Sequence, residues 1–429
     1  LFGGWVAVLL ALAYALEPTA LAHGALYKND LAATFGYLLF WYAAWKFWRD
    51  PRPLRAAGLG AALLVAILAK LSMLFLVVVA PVLVLLRYLT RHPVDPRRTS
   101  LALVLLLLIP YLGALAACQF EARRLSAGEV EQYARDSSVP RSAVLAAQVF
   151  RIVPAPLPMW QGALSLISAD TGGNAVYMLG QVYPRGHPLY FLFGLAVKAP
   201  LSLHILGACG LALLAVRLGR RQIGWSDSFW LLPGALYVGL ASLSTLQLGI
   251  RLILPALPFG LLLCGLAVAW LMRWPRTPAL ALLFVWLAFR SARIYPHGIS
   301  YFNAWAGGPE HGLKYLADSN LDWGQDLRLL AAFVNERGIA KMHLAYFGTD
   351  NPWAYFRESQ LVLVPPPWSD DLVKGRIELQ PEPGYYAISA TLLPGHFFDP
   401  KYRDYYRKFR AMEPIAKAGY SIYIYRVEH

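Results

Sequence analysis

From Phe2 to Ser291 the chain alternates long apolar runs with short polar connections, and arginines gather in alternate short connections. The run from Ala56 to Leu86 is the most telling. A spanning helix needs roughly 20 apolar residues, so this run is too long for one crossing, and Lys70 sits near its middle. It reads as two short spans that meet at Lys70-Leu71-Ser72. Arg49, Arg52 and Arg55 precede it, and Arg87, Arg91, Arg97 and Arg98 follow it. Basic residues favour cytoplasmic loops, so both flanks lie inside and Lys70 belongs at the opposite face.

The same reading along the chain predicts about nine spans. The first covers Phe2 to Leu16 and exits into Glu17 to Asp30; the second returns over Leu31 to Trp48; the Lys70 hairpin supplies the next two. Ser100 to Cys118 leaves again and releases a polar stretch, Glu121 to Pro188, so that 119–189 forms a large external loop. Tyr190 to Val216 returns to Arg217, Arg220 and Arg221. Phe229 to Leu246 and Leu252 to Met272 follow, and Ala279 to Ser291 exits for the last time. The membrane part is then 1–294, and everything after Ile294 is external.

The tail, 295–429, has a different pattern. His343 to Phe347 and Tyr385 to Ser389 alternate or cluster as strands do. Leu327 to Val334 has helical spacing, Asp322 followed by Gln325 resembles a capping box, and Gly338 stops the helix. The fold class expected is a polytopic α-helical membrane protein with a C-terminal α/β soluble domain.

Composition changes this picture little. With 58% hydrophobic and 15% charged residues the chain suits a bilayer, and its aromatic excess suits interfacial belts. The net charge of +14 does not point to nucleic acid, because much of the arginine lies in short loops where membrane orientation accounts for it. Cys118, Cys209 and Cys264 have neither CxxC spacing nor an even count, so no disulfide framework or zinc site is indicated. The chain opens on Leu1 and enters an apolar run without a basic region, so the expectation is that its natural start is missing.

A charge at membrane depth costs about 2.5 to 3.5 kcal/mol on insertion scales, so it asks for a partner, a cavity or an anion. At the face opposite the arginine clusters stand Asp30 with His23, Lys70, Lys198 and Arg251. Lipid phosphate is the anion a bilayer supplies there. Asp30 either serves a ligand or caps the helix after Asn29, and Lys198 either meets an anion or extends outward along its stem. Arg251, in a short turn and unable to deprotonate, favours anion binding, as does Lys70.

The loop between Trp160 and Lys198 carries Thr171-Gly172-Gly173-Asn174, Tyr177-Met178-Leu179-Gly180 and Tyr183-Pro184-Arg185-Gly186-His187. Glycine permits close backbone approach and tyrosine offers a stacking face with a hydroxyl, which suits sugar contact and suits any ordered loop almost as well. Arg185 and His187 are candidate substrate contacts, with a structural role as the alternative for the histidine. Asp318 and Asp322, with Asn320 between them and Gln325 after, either bind a divalent cation or sugar or act as helix caps; capping is the preferred reading.

Taken in order, Ala22-His23-Gly24-Ala25-Leu26 leading to Asp30, Ala69-Lys70-Leu71-Ser72, Gly180 through Lys198-Ala199-Pro200, and Gly249-Ile250-Arg251-Leu252-Ile253-Leu254-Pro255 resemble polyprenyl-phosphate-dependent glycosyltransferases of the GT-C class. The closest group is the protein-mannosyltransferase and aminoarabinose-transferase superfamily. Tyr301-Phe302-Asn303 through Gly307-Gly308-Pro309, and Asp318-Ser319-Asn320-Leu321-Asp322-Trp323-Gly324-Gln325-Asp326-Leu327, are similar to a bacterial subgroup of glycosyltransferase family 39. The resemblance implies transfer of a sugar from a polyprenyl-phosphate donor to an acceptor hydroxyl on a lipid, glycan or protein at the external face. It implies a bacterial inner-membrane protein whose first residues here are cytoplasmic and whose C-terminal domain is periplasmic. Lys70, Arg251 and Lys198 become donor-phosphate candidates, and His23, Tyr177, Arg185 and His187 substrate-loop candidates. No cofactor is certain, and a divalent cation is compatible.

The family's catalytic base lies in the external loop between its first two membrane helices. This sequence begins at what matches the third, so the base is expected upstream of Leu1, with Asp30 the candidate inside the chain. The rival readings are a transporter or flippase of lipid-linked sugars, and a non-catalytic scaffold with an external binding domain. Inverted repeats, or helices broken at the midplane, would favour translocation; no internal repeat is visible and the cations gather at one face.

Overall fold

The computed structural model describes residues 3–90, 96–137, 139–222, 229–367 and 378–428. Leu1 and Phe2, where the first span was expected to begin, and Arg91 lie outside them. The chain is mostly helical, with a sheet region near its C-terminal end. In order come α1 (Gly4–Ala15), α2 (Pro18–Gly24), α3 (Asp30–Arg49), α4 (Pro53–Ala69), a 3₁₀ turn (Leu71–Phe75) leading into α5 (Leu76–Leu89), and α6 (Pro96–Ala117). The segment expected as a polar loop contains β1 (Ala122–Arg123), α7 (Ala127–Arg135), α8 (Arg141–Val149), β2 (Ala155–Pro156), α9 (Leu157–Gly172) and a hairpin of β3 (Val176–Met178) and β4 (Gln181–Tyr183). Then follow α10 (Tyr190–Lys198), α11 (Leu201–Gly219), α12 (Leu231–Leu243), a 3₁₀ turn (Ile250–Ala256), α13 (Leu257–Leu271) and α14 (Thr277–Ile294).

Among the described residues five helical segments are long and apolar enough to cross a membrane: Leu71–Leu89, Pro96–Ala117, Leu201–Gly219, Ile250–Leu271 and Thr277–Ile294. Helices α1 and α2 add a sixth only as a pair bent by 65°. The other expected spans are present as helices but fall short of that standard. Helix α3 interrupts its apolar residues with Asp30, Lys46, tyrosines and tryptophans, while α4 and α12 are shorter. The single span expected over Tyr190 to Val216 is two helices. Pro200 has no N–H to continue the ladder and drives Ala199 to extended backbone, at φ −70 and ψ 143.

Small residues set close helix contacts. A Cβ on Gly36 of α3 would stand 2.7 Å from the Ala66 Cα of α4, so these backbones touch directly. Tyr37, one residue on, is fully buried and donates its hydroxyl to the Pro233 carbonyl at 2.8 Å, which ties α3 to α12. The predicted turn at Lys70 stands: α4 ends at Ala69 and Lys70 has extended backbone, with φ −162 and ψ 127.

The tail's α/β unit begins at α15 (Leu327–Glu336) and holds β5 (Met342–Ala345), β6 (Leu361–Leu363), β7 (Gly384–Ser389), β8 (Ala416–Ala418) and β9 (Ile422–Val427). Their spatial order is β6-β5-β7-β9-β8. The first three are parallel, and β9 runs antiparallel to both its neighbours. Period-two alternation explains the two layers. Ala387, Ile422 and Ile424 face Leu327, Leu330 and Val334 of α15, while Tyr386, Ile388, Tyr423 and Tyr425 face the other way into the cluster that includes Phe409. That second cluster is continuous with the helices, through Phe302 and Tyr190 to Phe40 and Leu63.

The expected capping box does not form. Helix α15 takes Asp326 as its N-cap residue and receives no side-chain cap bond. Asp322 instead accepts the Gly324 amide at 2.9 Å and the Thr391 amide at 3.1 Å, and the Gln325 side-chain oxygen accepts the Trp323 amide at 2.6 Å. These side chains build a tight turn and pin it to the strand end after β7, so the pattern lay one helical turn too early to cap. Gly338, at φ +61, does follow the helix.

A candidate anion site at one end of the helices

Asp30 is the first residue of α3, Lys70 terminates α4, and Arg251 is the second residue of the turn Ile250–Ala256. Gly249, at φ +124, reverses the chain just before Arg251, and a Cβ there would collide with the Ser319 hydroxyl. Asn29 makes no side-chain cap, and the Asp30 carboxylate serves the two cations instead of the helix. Lys70 Nζ stands 2.6 Å from Asp30 Oδ1 and Arg251 Nη1 3.3 Å from Oδ2. The carboxylate is 1% exposed, whereas the Lys70 and Arg251 side chains keep 19% and 15%. A buried acid therefore anchors two partly open cations.

The tail reaches this cluster through the motif singled out in the sequence. Arg251 Nε donates to Ser319 Oγ at 3.0 Å, and Ser319 Oγ donates to the Leu248 carbonyl. Asn320, wholly buried, accepts the Ile250 amide at 3.0 Å and donates to the Tyr190 hydroxyl at 2.8 Å. The Trp323 ring has the Arg251 guanidinium 4.5 Å from its centroid, Lys28 Nζ at 4.8 Å, and the buried His23 ring edge-on at 5.8 Å. Asp318 and Asp322 do not converge: Asp318 Oδ1 accepts the Ser319 amide at 2.6 Å, while Asp322 faces Gly324 and Thr391. Among the described residues no three His, Cys, Asp or Glu side chains converge as metal ligands do.

Lys198 is not with the other cations. It is 1% exposed, so its stem does not carry it outward, and its ammonium donates to the Ile299 carbonyl at 2.7 Å and to the Asn320 carbonyl. The Phe302 ring covers it at 4.6 Å. Its charge fastens the tail to α10, with no face left for a phosphate.

The substrate-loop residues form a separate group. Tyr177 on β3 packs beside His396, with ring centroids 6.2 Å apart. The His187 ring lies against Tyr183 and its Nδ1 accepts the Leu189 amide at 3.2 Å, which is the structural alternative for this histidine. The His187 amide donates to Gln247 at 2.7 Å, which ties the loop to the chain just before Arg251. Arg185 is exposed. Sequence reasoning missed Asp170, whose Oδ1 accepts the Thr245 amide at 2.7 Å and the Ser244 hydroxyl at 2.8 Å and so holds the same approach to Arg251. It also missed Lys28, Ser319 and Trp323; the last two stood inside a motif read for Asp318, Asn320, Asp322 and Gln325.

Asp322 has a measurable electrostatic signature. Burial pushes its carboxyl up to about 7, against the opposing Gly324 and Thr391 amides, and burial pushes Asp318 up to about 7 as well. An unfolded aspartate titrates near 3.9, so between those values the folded state binds more protons. Stability must then fall as pH rises from about 4 to 7 and level off above. Hydrogen exchange of the β7 and β9 amides, corrected for intrinsic rates, is expected to show the sheet less stable at pH 8 than at pH 5, by about 2 to 3 kcal/mol for each titrating aspartate. Asp322→Asn should flatten much of that slope; an unchanged slope assigns the titration elsewhere.

Comparison of the chain with protein-family models, with curated proteins and with solved structures finds no match.

Proposed function

We propose that this chain is a membrane glycosyltransferase that takes a sugar from a polyprenyl-phosphate-linked donor and passes it to an acceptor hydroxyl on a lipid, glycan or protein. The observation that carries the reading is the pair of partly open cations, Lys70 and Arg251, held on one buried carboxylate at the end of apolar helices. An apolar cavity of about 250 Å³, lined among others by Leu195, Leu231, Ile253, Ala256 and Phe259, supports it. Ile253 and Ala256 share the short turn that carries Arg251, so a phosphate on the cations leaves its hydrocarbon chain an apolar wall nearby. In this reading the remaining shorter helices also cross, about nine in all, with the arginine clusters cytoplasmic and the sheet region external.

The chemistry follows from charge. When the bond from the sugar to the phosphate oxygen breaks, that oxygen keeps the electron pair and the lipid phosphate gains a charge. Lys70 and Arg251, already oriented by Asp30, stabilise it without reorganising. The acceptor oxygen bonds the anomeric carbon and its proton goes to a carboxylate. Both oxygens of Asp30 face cations, so Asp30 is the anchor and another carboxylate is the base.

A translocation path is the second reading, because the helices break at Leu16-Glu17 and at Ala199-Pro200. The second break is braced by the tail, since the Asn303 amide group donates to the Ala196 and Ala199 carbonyls at 2.7 and 2.9 Å. A brace suits an enzyme better than a moving gate.

The test uses the full chain in nanodiscs with a labelled polyprenyl monophosphate. Saturable binding is expected, and Lys70→Gln and Arg251→Gln should each weaken it about tenfold or more, the worth of a hydrogen bond to a charged group. Absence of saturable binding would sink the reading. Movement of the labelled lipid between vesicle leaflets by this chain, with no sugar released, would select the flippase instead.

A further inference from the structure

We propose that Lys28 is a third cation of the phosphate site, held there by the Trp323 ring, and that the site is thereby matched to a phosphate monoester rather than to a diester. The inference rests on the phosphate reading above and names the charge state that the site prefers.

Lys28 stands two residues before Asp30, is exposed, and has no carboxylate partner among the described ion pairs. Its ammonium lies 4.8 Å from the Trp323 centroid, and the Arg251 guanidinium lies 4.5 Å from the same centroid. The two cations are therefore at most about 9 Å apart and share one ring, whose negative faces offset part of their repulsion. Lys70 and Arg251 contact the one carboxylate, Asp30, and Lys28 shares the Trp323 ring with Arg251, so these three cations exceed that carboxylate by two positive charges. The other titratable groups nearby do little to cancel them. His23, 5.8 Å from Trp323, is neutral or cationic and cancels none of them, and Asp318 is held up to about 7 by burial, so it supplies less than a full negative charge at neutral pH.

A diester phosphate carries one negative charge, and a monoester carries about −1.5 to −2 at pH 7. The donor is a diester, and cleavage of its sugar–oxygen bond leaves the lipid monoester with the extra electron pair. An excess of two positive charges suits the departing phosphate better than the bound donor. Lys28 should therefore act on turnover more than on donor affinity. Trp323 is a positioning residue: its turn is pinned by Asp322 to the strand end after β7, and it sets where both cations stand.

The experiment compares binding of farnesyl phosphate, its methyl diester and inorganic phosphate to the full chain in nanodiscs. The wild type is expected to bind the monoester about tenfold more tightly than the diester. Lys28→Gln should remove most of that preference by weakening the monoester alone, Lys28→Arg should keep it, and Trp323→Leu should lose more of it than Trp323→Phe. A parallel loss for inorganic phosphate in Lys28→Gln supports the assignment and places it in the headgroup. Lys28→Gln that retains the wild-type preference overturns the proposal while leaving Lys70 and Arg251 as the site. A wild type that binds none of the three ligands overturns the phosphate reading itself, and the role of Lys28 falls with it.

Discussion

Asp30→Ala is expected to cost about 3 to 5 kcal/mol of stability, because it leaves two cations facing each other with no counter-ion. The carboxylate is 1% exposed and meets Lys70 at 2.6 Å and Arg251 at 3.3 Å, so its removal leaves both charges unpaired on their buried side. Thermal unfolding of the full chain in detergent measures the loss. Two companions separate stability from binding. Asp30→Leu combined with Lys70→Met and Arg251→Met should recover most of the lost stability, since an apolar replacement of a buried ion cluster is often neutral. Added farnesyl phosphate should raise the melting temperature of Asp30→Ala more than that of the wild type, because the ligand then supplies the missing negative charge. If Asp30→Ala melts as the wild type does, the carboxylate is not what holds these helix ends together. If the apolar triple replacement is stable and no longer binds, the charges are kept for the ligand and not for the fold.

Much of the helical part was legible because its signals are local. The turn at Lys70 followed from one charge in a run too long for one crossing, and the structure breaks α4 at that residue. Both predicted strand segments fall on β5 and β7, where alternation decides which side chains meet α15. The break at Ala199-Pro200 was also readable in principle, since the proline was in view, but hydropathy averaged over Tyr190 to Val216 hid it. The pairing of Asp30 with Lys70 and Arg251 was not legible. The partners lie 40 and 221 residues away, and no periodicity links a helix start, a helix end and a turn. Cost at membrane depth marked each of these residues as needing a partner without saying that they were each other's. The same argument misdirected Lys198, because backbone carbonyls can satisfy a buried ammonium and carry no sequence signal. In the tail, Asp322 and Gln325 had capping-box spacing, yet the backbone made a tight turn there and the helix began later. The Gly324 and Trp323 amides hold that turn locally, and the Thr391 amide, distant in sequence, holds Asp322 from outside it.

Lys198→Met should separate structural charge from functional charge. The ammonium donates to the carbonyls of Ile299 and Asn320, and both belong to the tail segment that brings Ser319 and Trp323 to Arg251. Methionine fills similar space under Phe302 but leaves two buried acceptors without a donor, at about 1 to 3 kcal/mol each. The expected loss is about 2 to 5 kcal/mol, read by thermal unfolding, with hydrogen exchange fastest near Gly298 to Leu321. Farnesyl phosphate affinity of the folded fraction should stay within about threefold of the wild type, since Lys198 faces no open surface. Arg251→Gln should differ in its affinity, which falls about tenfold or more. A Lys198→Met chain that melts normally and loses phosphate binding would return Lys198 to the anion site. Its present bonds would then belong to one of two states, and the tail would be a part that moves when donor arrives.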